Sequence, residues 1–94
     1  MPFNPTAAAD GLEAGIRVMG TPARADAEKK YLKSDLIFLG ATVGQTRDTV
    51  KAYLRETTLD HASLEALVTT LWSAPIFERR MAAAMLLDLS PGLL

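Results

Sequence analysis

Leu64-Glu65-Ala66-Leu67-Val68-Thr69-Thr70-Leu71-Trp72 decides the architecture of this chain. Its apolar residues, Leu64, Leu67, Val68, Leu71 and Trp72, fall at i, i+3, i+4, i+7 and i+8, the spacing of one face of an α-helix. Asp60 supplies an N-cap upstream, and Ser73, Ala74 and Pro75 break the pattern downstream. On this spacing Trp72 anchors the buried face, and its replacement by alanine would cost about 3–5 kcal/mol.

A second helix follows directly, over about 76–89. Met81-Ala82-Ala83-Ala84-Met85-Leu86-Leu87 is apolar almost all round, which predicts a helix sandwiched between neighbours. Ser90-Pro91-Gly92 ends it, and residues 90–94 read as a tail. Glu78 in its first turn suits the helix dipole. Arg79 and Arg80 are expected to pair with nearby carboxylates or face solvent.

Upstream, Pro2 and Pro5 keep residues 1–5 irregular, and Thr6 is the candidate N-cap of an Ala-rich helix reaching about Met19. Leu12, Ile16 and Met19 share a face of it, and Gly20 reads as a left-handed C-cap. Thr21 and Pro22 open a polar helix over about 22–34, with only Ala25, Tyr31, Leu32 and Leu36 to give it a buried side. Leu36-Ile37-Phe38-Leu39 closes on Gly40. It has the length of a strand, but no second segment reads as its partner, so it is expected to plug the core between helices. Thr42 and Gln45 form a capping box for a helix to about Glu56, whose apolar face is Val43, Val50, Tyr53 and Leu54.

The chain thus reads as one all-α domain over residues 1–94, with about five helices. Helices two and four start about 37 residues apart, and helices three and five about 33, which predicts stacked helical hairpins of the HEAT or armadillo kind. A domain of this length buries only roughly 60–70% of the surface its unfolded chain exposes, so modest stability is expected.

Composition narrows the chemistry. There is no cysteine and a single histidine, His61, so no disulfide, thiolate site or His cluster can form, and no cofactor is expected. His61 follows an N-cap and should face solvent. No apolar run suits a membrane span or a secretory leader, which points to a cytoplasmic, membrane-free protein. The formal net charge is −1, but Lys29, Lys30, Lys33, Arg47, Lys51 and Arg55 concentrate mid-chain. Arg47, Lys51 and Arg55 stand at successive i+4 steps, as a row tracking phosphates would. The same residues read equally as a solvated helix face, with Asp48 and Glu28 among them.

Tyr31, Lys33, Ser34, Phe38, Leu39, Gly40 and Arg47, followed by Leu71, Trp72, Pro75, Glu78, Arg79 and Ala82, occur in an order and spacing that resemble the DNA alkylation repair proteins, helical-repeat DNA glycosylases of the AlkD type. The resemblance covers roughly residues 23 to 89 and corresponds to the N-terminal part of the family. Gly44 departs from it, standing where the family usually has a turn proline. The resemblance implies excision of alkylated purines for the family as a whole. It places Tyr31 on the DNA-facing side, but carries no catalytic residue onto this chain, because the family's lesion pocket uses Trp and Asp residues of later repeats. The expectation is therefore an incomplete, truncated solenoid that supplies scaffold and backbone contacts through Lys29, Lys30, Tyr31, Lys33, Arg47, Lys51 and Arg55. It would bind duplex DNA weakly and salt-sensitively, and self-associate through an apolar end made by Leu86, Leu87, Leu89, Leu93 and Leu94. Two other readings compete: a non-catalytic protein-interaction module, and a small helix-turn-helix regulator reading DNA with residues 42–55.

Overall fold

The computed structural model describes residues 2–93. These form five α-helices and a terminal 3-10 turn: α1 (Pro5–Met19), α2 (Pro22–Leu32), α3 (Val43–Glu56), α4 (His61–Ser73), α5 (Phe77–Asp88) and the turn Pro91–Leu93. The all-α class follows from the sequence as expected.

Capping explains where the helices start. Thr21 accepts the Arg24 N–H at 3.2 Å, and Asp60 accepts the Ser63 N–H at 2.7 Å. Thr42 and Gln45 close the reciprocal box, at 3.0 Å from the Gln45 N–H to the Thr42 hydroxyl and 2.9 Å from the Thr42 N–H to the Gln45 side chain. α1 differs from expectation. Asn4, not Thr6, is its cap, accepting the Ala7 N–H at 3.0 Å. Pro5 is the reason: with no N–H and a helical φ it belongs at the first helical position, so the residue before it caps.

Four helices make the body. α1 packs against α3, α4 and α5, while α5 also lies against α3 and α4. The core between them is Ala9, Leu12 and Ile16 of α1, Val50 of α3, Leu64, Leu67 and Leu71 of α4, and Ala82, Ala83, Met85 and Leu86 of α5. The sequence period places helix two beside helix three, whereas in the structure α3 lies against α1 and α5, and α4 makes its largest contact with α5. The cause is amphipathicity. α1 offers an apolar stripe, and α2 has no buried side chain at all. Tyr31 and Leu32, expected to help bury α2, are 87% and 48% exposed. α2 also ends at Leu32, short of the expected Ser34, because Lys33 turns left-handed at φ 49°.

Three further expectations are corrected. Met19 and Val43 are exposed rather than on their helices' buried faces. Trp72 is 54% exposed: Leu71 takes the last inward position of α4, and Trp72, one residue on, points about 100° away from it. The Arg80 guanidinium lies 5.2 Å from the Trp72 ring centre, a cation–π contact. Trp72→Ala is therefore expected to cost about 1 kcal/mol, the scale of an exposed cation–π pair, in urea melts. Gly20 is the third. Its backbone is extended, φ −78°, rather than left-handed.

Gly20 is needed for space. A Cβ there would lie 2.0 Å from the Leu39 carbonyl oxygen. The 36–39 run behaves largely as the expected plug. Phe38 and Leu39 are buried, and Phe38 stacks on Phe77 with ring centres 4.8 Å apart. Ile37 does find a partner, a one-residue parallel bridge to Ile76. Its N–H donates to the Pro75 carbonyl and its carbonyl accepts from the Phe77 N–H, both at 2.8 Å.

At the C-terminal end Leu86 is fully buried, and Leu89 and Leu93 pack on the core. Leu87 remains 38% exposed. Leu94 lies outside the described residues.

Candidate nucleic-acid interface

The mid-chain cations separate into two groups. Lys29, Lys30 and Tyr31 occupy the last turn of α2, and Lys33 is its left-handed C-cap. With Asp26, Ser34 and Asp35, the three lysines line an open cleft of about 350 Å³. All three are exposed, and the Lys29 ammonium reaches the Leu36 carbonyl at 3.4 Å. Cations at this end of a helix are favoured by the helix dipole, so they gather there at little electrostatic cost. Lys33 is the only non-glycine among the described residues with positive φ. A Cβ in that region costs about 1 kcal/mol or more, and the residue doing so sits within the basic group.

Arg47, Lys51 and Arg55 lie on α3. Arg47 is 4.0 Å from Asp88 on α5, a long ion pair that offsets its charge. Lys51 and Arg55 line a separate shallow groove with Leu54 and Leu89. Among the described residues neither forms an ion pair.

The burial of Glu78 and the identity of Arg79's partners escape a reading by sequence alone. Glu78 has no exposure, and its carboxylate accepts the Leu39 N–H at 2.8 Å and the Gly40 N–H at 3.1 Å. Helical spacing puts Glu78 on one face of α5 with Ala82 and Met85, but which backbone amides meet it there depends on packing. Arg79 donates at 2.7 Å to both Glu13 and Asp10, tying α5 to α1. The expected carboxylate pairing of Arg79 is thus realised, on a helix 66 residues upstream in the case of Glu13. His61 is exposed as expected, with Nδ1 2.7 Å from the Leu93 carbonyl oxygen.

Acid stability follows from two carboxyls. Burial pushes the Glu13 carboxyl up, but hydrogen bonds and charge from Arg17 and Arg79 outweigh it, leaving it below its usual value of 4.5. The Ser63 backbone N–H holds Asp60 below its usual 3.8. Both groups favour the folded state while ionised. That stabilisation is complete above their unfolded values and drains away as pH falls through the lower folded ones. Melting temperature is expected to hold steady down to about pH 5 and fall below it. Glu13→Gln should flatten that acid limb, as pH-dependent calorimetry would show.

Among the described residues no group of three or more acidic or histidine side chains is placed to hold a metal ion. No described helix is long and apolar enough to cross a membrane. A family model described as DNA alkylation repair enzyme matches residues 12–90 of the chain. No curated protein and no solved structure matches it.

Proposed function

The chain belongs to the DNA alkylation repair enzyme family, and from that premise we propose that it serves repair by gripping duplex DNA through its phosphates. The observation that supports this most is α2. A helix that buries no side chain gains little from packing, so its surface is free for another use. That surface presents Lys29, Lys30 and Lys33 together, with Tyr31 exposed beside them. Lys51 and Arg55 add a second point of contact on α3, and Arg47 joins them when it leaves Asp88. Cations of this kind position a protein on a duplex without reading sequence. A helical-repeat scaffold of HEAT type would carry them. The purine excision implied by the family resemblance is assigned to no residue of this chain.

Fluorescence anisotropy with a labelled duplex tests the reading. A dissociation constant on the order of 10⁻⁴ to 10⁻⁶ M is expected at physiological salt, weakening steeply as salt rises. The triple change Lys29→Ala, Lys30→Ala, Lys33→Ala should lower the slope of log K against log salt by about 2–3. Binding indifferent to salt would remove the phosphate role.

Lys33→Gly separates function from stability. Relief of the left-handed strain should raise stability by about 0.5–1 kcal/mol, while the lost cation weakens DNA binding. A variant that is both less stable and an unchanged binder contradicts both assignments.

A second reading, a protein-interaction module, is favoured by Trp72, Ile37 and Pro75, all exposed around the α4–α5 turn. A partner lost on Trp72→Ala, with DNA not retained at low salt, would favour it. Self-association through the last helix would rest on Leu87, which shares a groove with His61, Leu64 and Val68. Light scattering that shows a monomer at all concentrations eliminates it.

A further inference from the structure

We propose that Glu78 is a positioning residue: its buried carboxylate latches the α2–α3 connection to α5 and so sets where the α2 lysines point. This rests on the phosphate-binding reading for its purpose, though not for its geometry.

α2 is held largely by its ends, because none of its own residues is fully buried and only Ala25 and Glu28 are half-buried. The incoming end runs through Gly20 and Thr21, and the outgoing connection through Leu39 and Gly40. These two stretches lie backbone against backbone. The Thr21 N–H donates to the Gly40 carbonyl at 3.2 Å. A Cβ on Gly40, at φ 81°, would come within 2.0 Å of the Thr21 carbonyl oxygen. Thr21 is also the N-cap of α2, so whatever places Gly40 places the start of that helix.

Glu78 places Gly40. Its two carboxylate oxygens take the adjacent Leu39 and Gly40 N–H groups, one each, from the second residue of α5. Both oxygens are satisfied by backbone donors, and complete burial keeps water from competing. The bridge from Ile37 to Pro75 and Phe77, and the Phe38–Phe77 stack, guide the connection to the same turn of α5. These contacts alone leave the Leu39 and Gly40 amides without acceptors. The chain of placement therefore runs from α5 through Glu78 to Gly40, to Thr21, to α2 and its lysines.

Glu78→Gln tests this with the shape of the side chain preserved. An amide offers one acceptor oxygen and turns a donor toward the second N–H. Hydrogen exchange is expected to accelerate about tenfold or more at Leu39 and Gly40 and across α2, with the Leu67 and Leu71 amides of α4 unchanged. DNA affinity at fixed salt should drop about threefold to tenfold, with a smaller salt slope, as the α2 cations lose register. If Glu78→Gln does not fold, Gly40→Ala strains the same seam from the other side and should give the same local exchange pattern. Uniform acceleration in all helices, or unchanged protection at Leu39 and Gly40, overturns the latch. Local acceleration in a protein whose wild type ignores DNA overturns the phosphate reading and upholds the latch.

Discussion

Gly20→Ala is expected to destabilise the protein by about 3 kcal/mol, the upper part of the overpacking range. The backbone torsion alone would tolerate alanine, since φ is −78°. The obstacle is the neighbouring chain: the new Cβ would stand 2.0 Å from the Leu39 carbonyl oxygen and 3.2 Å from the Ala41 nitrogen. Both are backbone atoms, and the segment that carries them is fastened to α5 by Glu78. Neither can retreat without opening the seam. In a domain of this size the loss corresponds to a fall in melting temperature of about 12–24 °C. Gly11→Ala is the matched control. A Cβ at Gly11 meets nothing within 4 Å in the middle of α1, so alanine there should stabilise by about 0.5–1 kcal/mol. If the two substitutions shift the melting temperature alike, the close approach at Gly20 is wrong.

Arg79→Ala is expected to cost about 2–4 kcal/mol in chemical denaturation, less than a fully buried pair because Asp10 is largely exposed. The arginine side chain is 11% exposed and the Glu13 side chain 19%. Removing the guanidinium leaves the Glu13 carboxylate in that partly buried site with only Arg17, itself 60% exposed, to balance it. The double change Arg79→Met with Glu13→Gln should recover part of the loss, because the stranded charge goes with its partner. Equal stability of the single and double variants would mean that the α1–α5 pairing contributes through packing alone.

The same contrast runs through the molecule. The 3.6-residue repeat of Leu64, Leu67 and Leu71, the capping box of Thr42 and Gln45, and the Thr21–Pro22 helix start are properties of neighbours along the chain, so they are legible in it. The basic cluster around Lys29, Lys30 and Lys33 is legible for the same reason, as one helical turn and its cap. That Lys51 and Arg55 line a different groove is not, because it depends on how α3 meets α5.

The chain's local pattern was sufficient for an all-helical protein with these caps and these breaks, since propensity and periodicity act over a turn or two. Only packing could decide that α3 lies against α1 and α5 rather than α2. Only packing could turn Trp72 outward, bury Glu78, and make Gly20 a matter of room rather than of backbone torsion. The Gly20 and Glu78 outcomes depend on atoms that meet across 19 or more residues of sequence, where burial and backbone hydrogen bonding, not local spacing, set the energy.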